Sequence, residues 1–144
     1  MGSIGKNFFL IGIVLVSNFF ACVQQKGQPA PTEKKVKRVG MGIGIKPGKI
    51  EEYEKLHADD NPGVRDLLTK SHIENFSIFL HQFDNGKYFL FGYYEYTGDD
   101  FEADMAKLAQ DERNIAWLNV CDPMQIPFEG KEGWSVMEQV YYKK

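Results

Sequence analysis

Ile73-Glu74-Asn75-Phe76-Ser77-Ile78-Phe79-Leu80-His81-Gln82 and Tyr88-Phe89-Leu90-Phe91-Gly92-Tyr93-Tyr94-Glu95-Tyr96 are two extended runs joined through Asp84-Asn85-Gly86. In the first, Phe76, Ile78 and Leu80 alternate with Asn75, Ser77, Phe79 and His81, the period of a strand. Asn-Gly between extended runs is a strong hairpin signal, because both residues tolerate positive φ. In the second run both sets are apolar or aromatic: Phe89, Phe91 and Tyr93 on one side, Tyr88, Leu90, Tyr94 and Tyr96 on the other. Neither side of that strand is patterned for water.

Toward the N-terminus, Val39, Met41, Ile43 and Ile45 alternate with Gly40, Gly42 and Gly44, which predicts a strand with one bulky face and one bare face that something must approach closely. These glycines lie within the strand, miss the dinucleotide spacing and are followed by no phosphate-loop Lys-Ser/Thr, so they do not mark a nucleotide site. Lys46-Pro47-Gly48 turns the chain. Ile50, Tyr53, Leu56 and His57 then recur at helical spacing, with Glu51 and Glu52 at the positive end of the helix dipole. Asn61-Pro62 predicts a second helix start, Asn as cap and Pro in the first turn, with Val64, Leu67 and Leu68 as its buried stripe. The first helix therefore breaks shortly after His57, where a side chain can be aimed at a cavity.

Toward the C-terminus, a helix is expected from about Asp99 or Asp100, burying Phe101, Met105 and Leu108 and continuing brokenly through Ile115 to Leu118. Pro123 and Pro127 mark a loop, and Trp134 to Tyr142 alternate as a last strand. The order strand, helix, strand, strand, helix, strand is the α+β, ferredoxin-like βαββαβ arrangement, an antiparallel sheet with both helices on one face. A second copy stacking sheet on sheet is the simplest cover for the other face, which makes the expected molecule a homodimer of the α/β-barrel type.

The chain has 144 residues, enough for one domain of the usual roughly 100–150 residues and too few for two. Residues 1–22 have the pattern of an export signal: Lys6, an apolar run from Phe8 to Phe20, then Ala21-Cys22. The run is shorter than the about 20 residues of a membrane span. A small residue followed by Cys22 resembles a bacterial lipoprotein signal, so Cys22 is the expected lipidation site and the membrane a partner through that anchor. An uncleaved anchor and a plain secretory signal are the other two readings. Residues 23–38 form a polar linker, and 39–144 the domain, exported and facing the periplasm or the cell surface. The linker carries five Lys/Arg against Glu33, whereas residues 39–144 hold 11 Lys/Arg against 19 Asp/Glu. An acidic domain with no basic stripe argues against nucleic acid. With Cys22 set aside, Cys121 has no thiol to pair with and is expected to be a small buried hydrophobe.

Tyr53 and His57, four apart, share a helix face. Imidazole, with an ordinary pKa of about 6.5, gives or takes a proton near neutrality. The same spacing also fits a histidine that merely packs or faces solvent. Asp59 and Asp60 lie close enough to orient His57, or form a solvated turn. His72 at a helix end and His81 on a strand read as structural. No two histidines stand at metal-ligand spacing with a carboxylate, so no metal site is expected. Trp117 either stacks on an apolar sugar face or fills the gap between helix and sheet. No serine or cysteine nucleophile constellation appears, so the chemistry, if any, is proton transfer.

At Gly48-Lys49-Ile50-Glu51-Glu52-Tyr53-Glu54-Lys55-Leu56-His57-Ala58-Asp59 the chain resembles the L-rhamnose mutarotase family. The likeness persists through Glu74–Leu80, Phe91–Met105, Cys121–Pro127 and Met137–Tyr141. The resemblance implies a dimeric ferredoxin-like fold, no cofactor, and interconversion of the α and β anomers of a free sugar. By position His57 matches the family's proton donor and Tyr53 its sugar-binding tyrosine; Phe76 and Trp117 are expected to line the pocket with them. The family has Trp where this chain has Asn61, Tyr where it has Phe76, and a Trp pair where Trp117 is flanked by Ala116 and Leu118. Each lost contact weakens sugar binding by on the order of 1 kcal/mol, which leaves room for a changed sugar or for lost catalysis. The expected activity is a mutarotase acting on L-rhamnose or a related sugar. A non-catalytic sugar-binding lipoprotein of the same fold is the alternative, and fold order with a helix histidine also fits a haem-binding domain of the monooxygenase kind.

Overall fold

Strand β1 (Lys37–Ile45) organises the sheet because both of its edges are paired. In the computed structural model, which describes residues 35–144, β1 runs antiparallel to β3 (Tyr88–Tyr96) from Lys37↔Tyr96 to Ile45↔Tyr88. Its other edge takes β4 (Gln125–Ile126) opposite Gly44 and Ile45, and β5 (Ser135–Met137) opposite Gly40 to Gly42. β2 (Ile73–Gln82) lies outside β3, so the order is β2-β3-β1-β4 with β5 also on β1. This is the expected ferredoxin-like sheet. β1 starts at Lys37, two residues inside the stretch read as linker; the export signal, Cys22 and most of that linker lie outside the described residues.

The last strand differs from expectation. Trp134 to Tyr142 reads as one run, but its ladder ends at Met137, and a separate piece, β4, forms inside the region read as a loop. A Cβ on Gly44 would sit 2.9 Å from the Ile126 carbonyl oxygen, so the bare residue is what admits β4. Pro127, with no N–H to donate, ends it. Past Met137 the chain leaves the sheet, and Tyr142 packs under Arg38, its ring 3.7 Å from the guanidinium carbon and its hydroxyl accepting from Nη2 at 3.0 Å. The groups that approach the bare face of β1 are thus Met137 at Gly40, Phe128 at Gly42 and Ile126 at Gly44.

The hairpin forms where the sequence puts it, with a different turn. Phe83 accepts from the Gly86 N–H at 2.8 Å and donates to the Lys87 carbonyl at 2.9 Å, and only Gly86 of the Asn-Gly pair has positive φ, +76°. That is a three-residue loop closed by a glycine bulge. At the far end of β2 the register slips between Glu74 and Ser77, with Asn75 at φ +53°. This bulge re-aims Phe76, which meets Tyr94 edge-on at 5.8 Å.

A 3-10 turn (Pro47–Lys49) leads into α1 (Ile50–Leu56); α2 (Arg65–Lys70), α3 (Phe101–Ala109) and α4 (Glu112–Cys121) follow. Asp100 caps α3 through Ala103 N–H at 3.0 Å, and Asp111 caps α4 through Arg113 N–H and Asn114 N–H at 2.9 and 3.2 Å. α2 does not begin at Asn61-Pro62. The Asn61 side-chain oxygen accepts from Gly63 N–H at 3.1 Å, Gly63 turns left-handed at φ +49°, and regular helix resumes only at Arg65. The core lies between the helices and one sheet face, built from Ile43, Ile45, Tyr53, Leu90, Cys121 and Met124. Cys121 is buried there as expected, its thiol pushed up to about 11, mainly by burial.

Candidate active site

α1 ends one residue before His57. The chain that follows, from His57 on, presents its backbone carbonyl groups to the Arg65 guanidinium. Its Nη2 donates to the carbonyls of His57 (3.0 Å) and Ala58 (3.1 Å), its Nη1 to those of Asp59 (3.2 Å) and Asn61 (2.8 Å). The fork geometry of arginine suits this task as no other side chain does. His57 thereby stands on a pinned backbone although it lies at a helix end.

The imidazole is fixed from its own side as well. His57 Nδ1 is 2.8 Å from the Tyr53 carbonyl oxygen, which only accepts, so Nδ1 carries the proton and Nε2 of the neutral ring presents a lone pair. The ring stacks on the Tyr53 ring, centroids 4.1 Å apart and planes 24° from parallel, and Trp117 meets it edge-on at 5.3 Å. Burial lowers the His57 pKa below its ordinary value. The hydrogen bond to the Tyr53 carbonyl opposes that shift and the Arg65 charge adds to it. Burial likewise raises the Tyr53 phenol well above its usual range. A nearby Cys121 adds to the rise and Gln125, hydrogen-bonding the phenol, partly offsets it, so Tyr53 stays a protonated donor.

These groups line one cavity of about 670 Å³, between the α1–α2 segment, α4 and the bulged end of β2. Tyr53, His57, Phe76 and Trp117, the four residues singled out from the sequence, all face it. Trp117 also packs on the core, and it lies so close over Gly63 that a Cβ there would meet the indole at 3.0 Å. Trp117 therefore fills the gap between helix and sheet, as one reading of it expected, and also walls the cavity. Asn61 lines the rim. Asp59, fully exposed and 3.6 Å from Arg65, is not among the lining residues, nor is Asp60; they form the solvated turn, and the Tyr53 carbonyl takes the orienting role. His72 (φ +59°) closes the turn after α2, with Nε2 3.9 Å from Asp104, and exposed His81 packs edge-on against Phe83 at 4.8 Å.

Three contributors escape the sequence reading. Arg65 gave no signal, because its partners are backbone carbonyls. Gln125 follows two turn-forming residues and has no periodic context. Asn114 did carry a signal: 114, 117 and 121 fall on one face of α4 with Trp117 and Cys121, so an amide there points inward. Arg113 beside it holds α2 to α4 through a two-pronged pair with Asp66 at 2.9 and 3.0 Å.

The chain is similar to proteins already known. A family model described as L-rhamnose mutarotase matches residues 38–143. An L-rhamnose mutarotase of Oceanobacillus iheyensis is 34% identical over 89 residues, 62% of this chain and 80% of that protein. Among solved structures, an L-rhamnose mutarotase from Formosa agariphila superposes with a TM-score of 0.56 at 20% identity, covering 75% of this chain and 99% of the other, which is a likeness of fold. An antibiotic biosynthesis monooxygenase gives a TM-score of 0.43 at 18% identity over 74% of this chain and 100% of its own.

The depressed His57 pKa has a measurable consequence. The unfolded chain, with an ordinary imidazole, binds a proton more readily than the folded one, so this contribution to stability is complete above about pH 6.5 and is lost as pH falls toward the folded pKa. Urea midpoints are expected to fall more steeply between pH 7 and pH 5 for the native chain than for His57→Gln. Parallel curves over that range would show that the imidazole is not desolvated.

Proposed function

Because the chain belongs to the L-rhamnose mutarotase family, a family of isomerases acting on a sugar's anomeric centre, we propose that His57 is the proton-transfer group of this activity, on L-rhamnose or a related free sugar. The observation that carries the proposal is the half-buried neutral imidazole, its Nδ1 committed to the Tyr53 carbonyl and its Nε2 available beside a cavity. As the bond between C1 and the ring oxygen breaks, Nε2 accepts the anomeric hydroxyl proton, and a water molecule protonates the ring oxygen while taking that proton back from Nε2, so that imidazole and water both end neutral. The open-chain aldehyde turns about C1–C2, and the reverse transfers close the ring on the other face. Tyr53, a protonated donor, hydrogen-bonds a sugar oxygen. Phe76 and Trp117 offer apolar faces to the pyranose.

Two further features belong to the same proposal. The sheet face away from the helices presents Phe79, 62% exposed, with Phe83, Phe89 and Phe91, an apolar surface that a second copy of the chain would cover, as the stacked-sheet homodimer requires. The N-terminal run and Ala21-Cys22 support export with a lipid on Cys22.

Exchange between anomer signals in NMR tests the chemistry. His57→Ala is expected to lower the accelerated rate by about 100-fold or more, and Tyr53→Phe by about tenfold. Equal rates for native chain and His57→Ala across a sugar panel would end the enzymatic proposal, and calorimetric binding without acceleration would favour a sugar-binding protein instead. Sedimentation should give a dimer for the native chain and a monomer for Phe79→Glu/Phe91→Glu; a native monomer at micromolar concentration would remove the homodimer. Mass spectrometry of membrane-extracted protein should find an acylated Cys22 at the mature N-terminus, and an intact residue 1–22 segment would refute lipidation.

A further inference from the structure

Polar side chains around the cavity are nearly all engaged by the protein itself. Asn61 accepts from Gly63 N–H, Arg65 holds four carbonyls, Thr69 donates to the Arg65 carbonyl, Glu74 accepts from Thr97, and Asn75 donates to Glu95. Gln125 hydrogen-bonds the Tyr53 phenol. Asn114 differs. Its backbone N–H is capped by Asp111, but its carboxamide has no hydrogen-bond partner among the described residues, although the residue is 93% buried, being 7% exposed. Both amide atoms are open to solvent, and the residue lines the cavity. A carboxamide so deep and without a protein partner meets only water until a ligand replaces it.

We propose that Asn114 reads one non-anomeric hydroxyl of the bound sugar, its NH2 donating to the hydroxyl oxygen and its carbonyl accepting the hydroxyl proton, and so sets which sugars the site accepts. The proposal rests on the sugar-binding reading of the same cavity. It assigns the hydroxyl away from C1, because His57 and Tyr53 occupy the anomeric end. A buried group built to pair with a hydroxyl discriminates strongly against the sugar that lacks it, since the amide is then left unsatisfied, whereas the apolar walls discriminate weakly.

The test uses L-rhamnose and its 2-, 3- and 4-deoxy analogues, each anomer-exchange rate normalised to that sugar's uncatalysed rate. For the native chain, one analogue is expected to lose about tenfold or more in kcat/KM relative to the other two. Asn114→Leu should lose about 10- to 100-fold on L-rhamnose, mainly through KM. It should lose nothing further when the same hydroxyl is removed from the sugar, because the contact is then already gone. A loss of equal size on all four sugars, or none, overturns the assignment. If Asn114→Leu fails to fold by circular dichroism, Asn114→Asp, of nearly the same shape but with no NH2 to donate, takes its place. A flat native response to the three deoxy sugars overturns it without any variant. If the native chain accelerates no anomer exchange, calorimetric affinities for the same four sugars carry the same comparison, so failure of catalysis and failure of this contact are told apart.

Discussion

The guanidinium of Arg65 gathering the carbonyls of His57, Ala58, Asp59 and Asn61 is the interaction from which the cavity follows. α1 stops at Leu56, which leaves the carbonyls of the following loop without a helix to engage them, and a loop that carries a ring would ordinarily be free to move. One planar cation removes both difficulties. It donates to four loop carbonyls, and it ties the loop to the start of α2. Its charge also works on His57 in the same direction as burial, favouring the neutral ring.

Around this anchor the rings are held by contact rather than by charge. Tyr53 sits in the core and offers one face to His57, while Trp117 closes the edge and itself rests on Gly63. Gly63 thus serves twice: its left-handed φ ends the irregular turn, and its missing Cβ lets the indole come down over the backbone. Arg113 and Asp66 join α2 to α4, so the two sides of the cavity are held together by a charge-assisted pair. Burial depresses a base and raises an acid in the same place, which leaves a lone pair on the imidazole and a proton on the phenol at neutral pH.

The sheet divides its labour between faces. Ile43, Ile45 and Leu90 face the helices and complete the core; the glycines of β1 with Phe79, Phe89 and Phe91 face away, while Phe76 beyond the bulge turns to the cavity. Met137, Phe128 and Ile126 occupy part of the bare strip along β1, which explains why the final segment is broken into two short pieces. A continuous strand there would need an uninterrupted run of donors, and Pro127 removes one.

Alternation of apolar and small residues over 39–45, 73–82 and 88–96 was enough to place three strands and their hairpin, because a two-residue period depends on nothing beyond the strand itself. Four-residue spacing likewise put Tyr53 and His57 on one face, and family likeness put Phe76 and Trp117 beside them. The same local rules misplaced what distant partners decide. The start of α2 moved to Arg65 because Gly63 turns under an indole 54 positions along the chain; the last strand shortened because the chain leaves β1 after Met137 and packs Tyr142 on the Arg38 side chain; and the acids after His57 lost the orienting role to a carbonyl. Asn114 and Gln125 became cavity residues only once α4 and β4 had docked against α1. Periodicity records which way a side chain points within its own element. Which groups meet across elements, and which are left without a partner, is settled by packing alone.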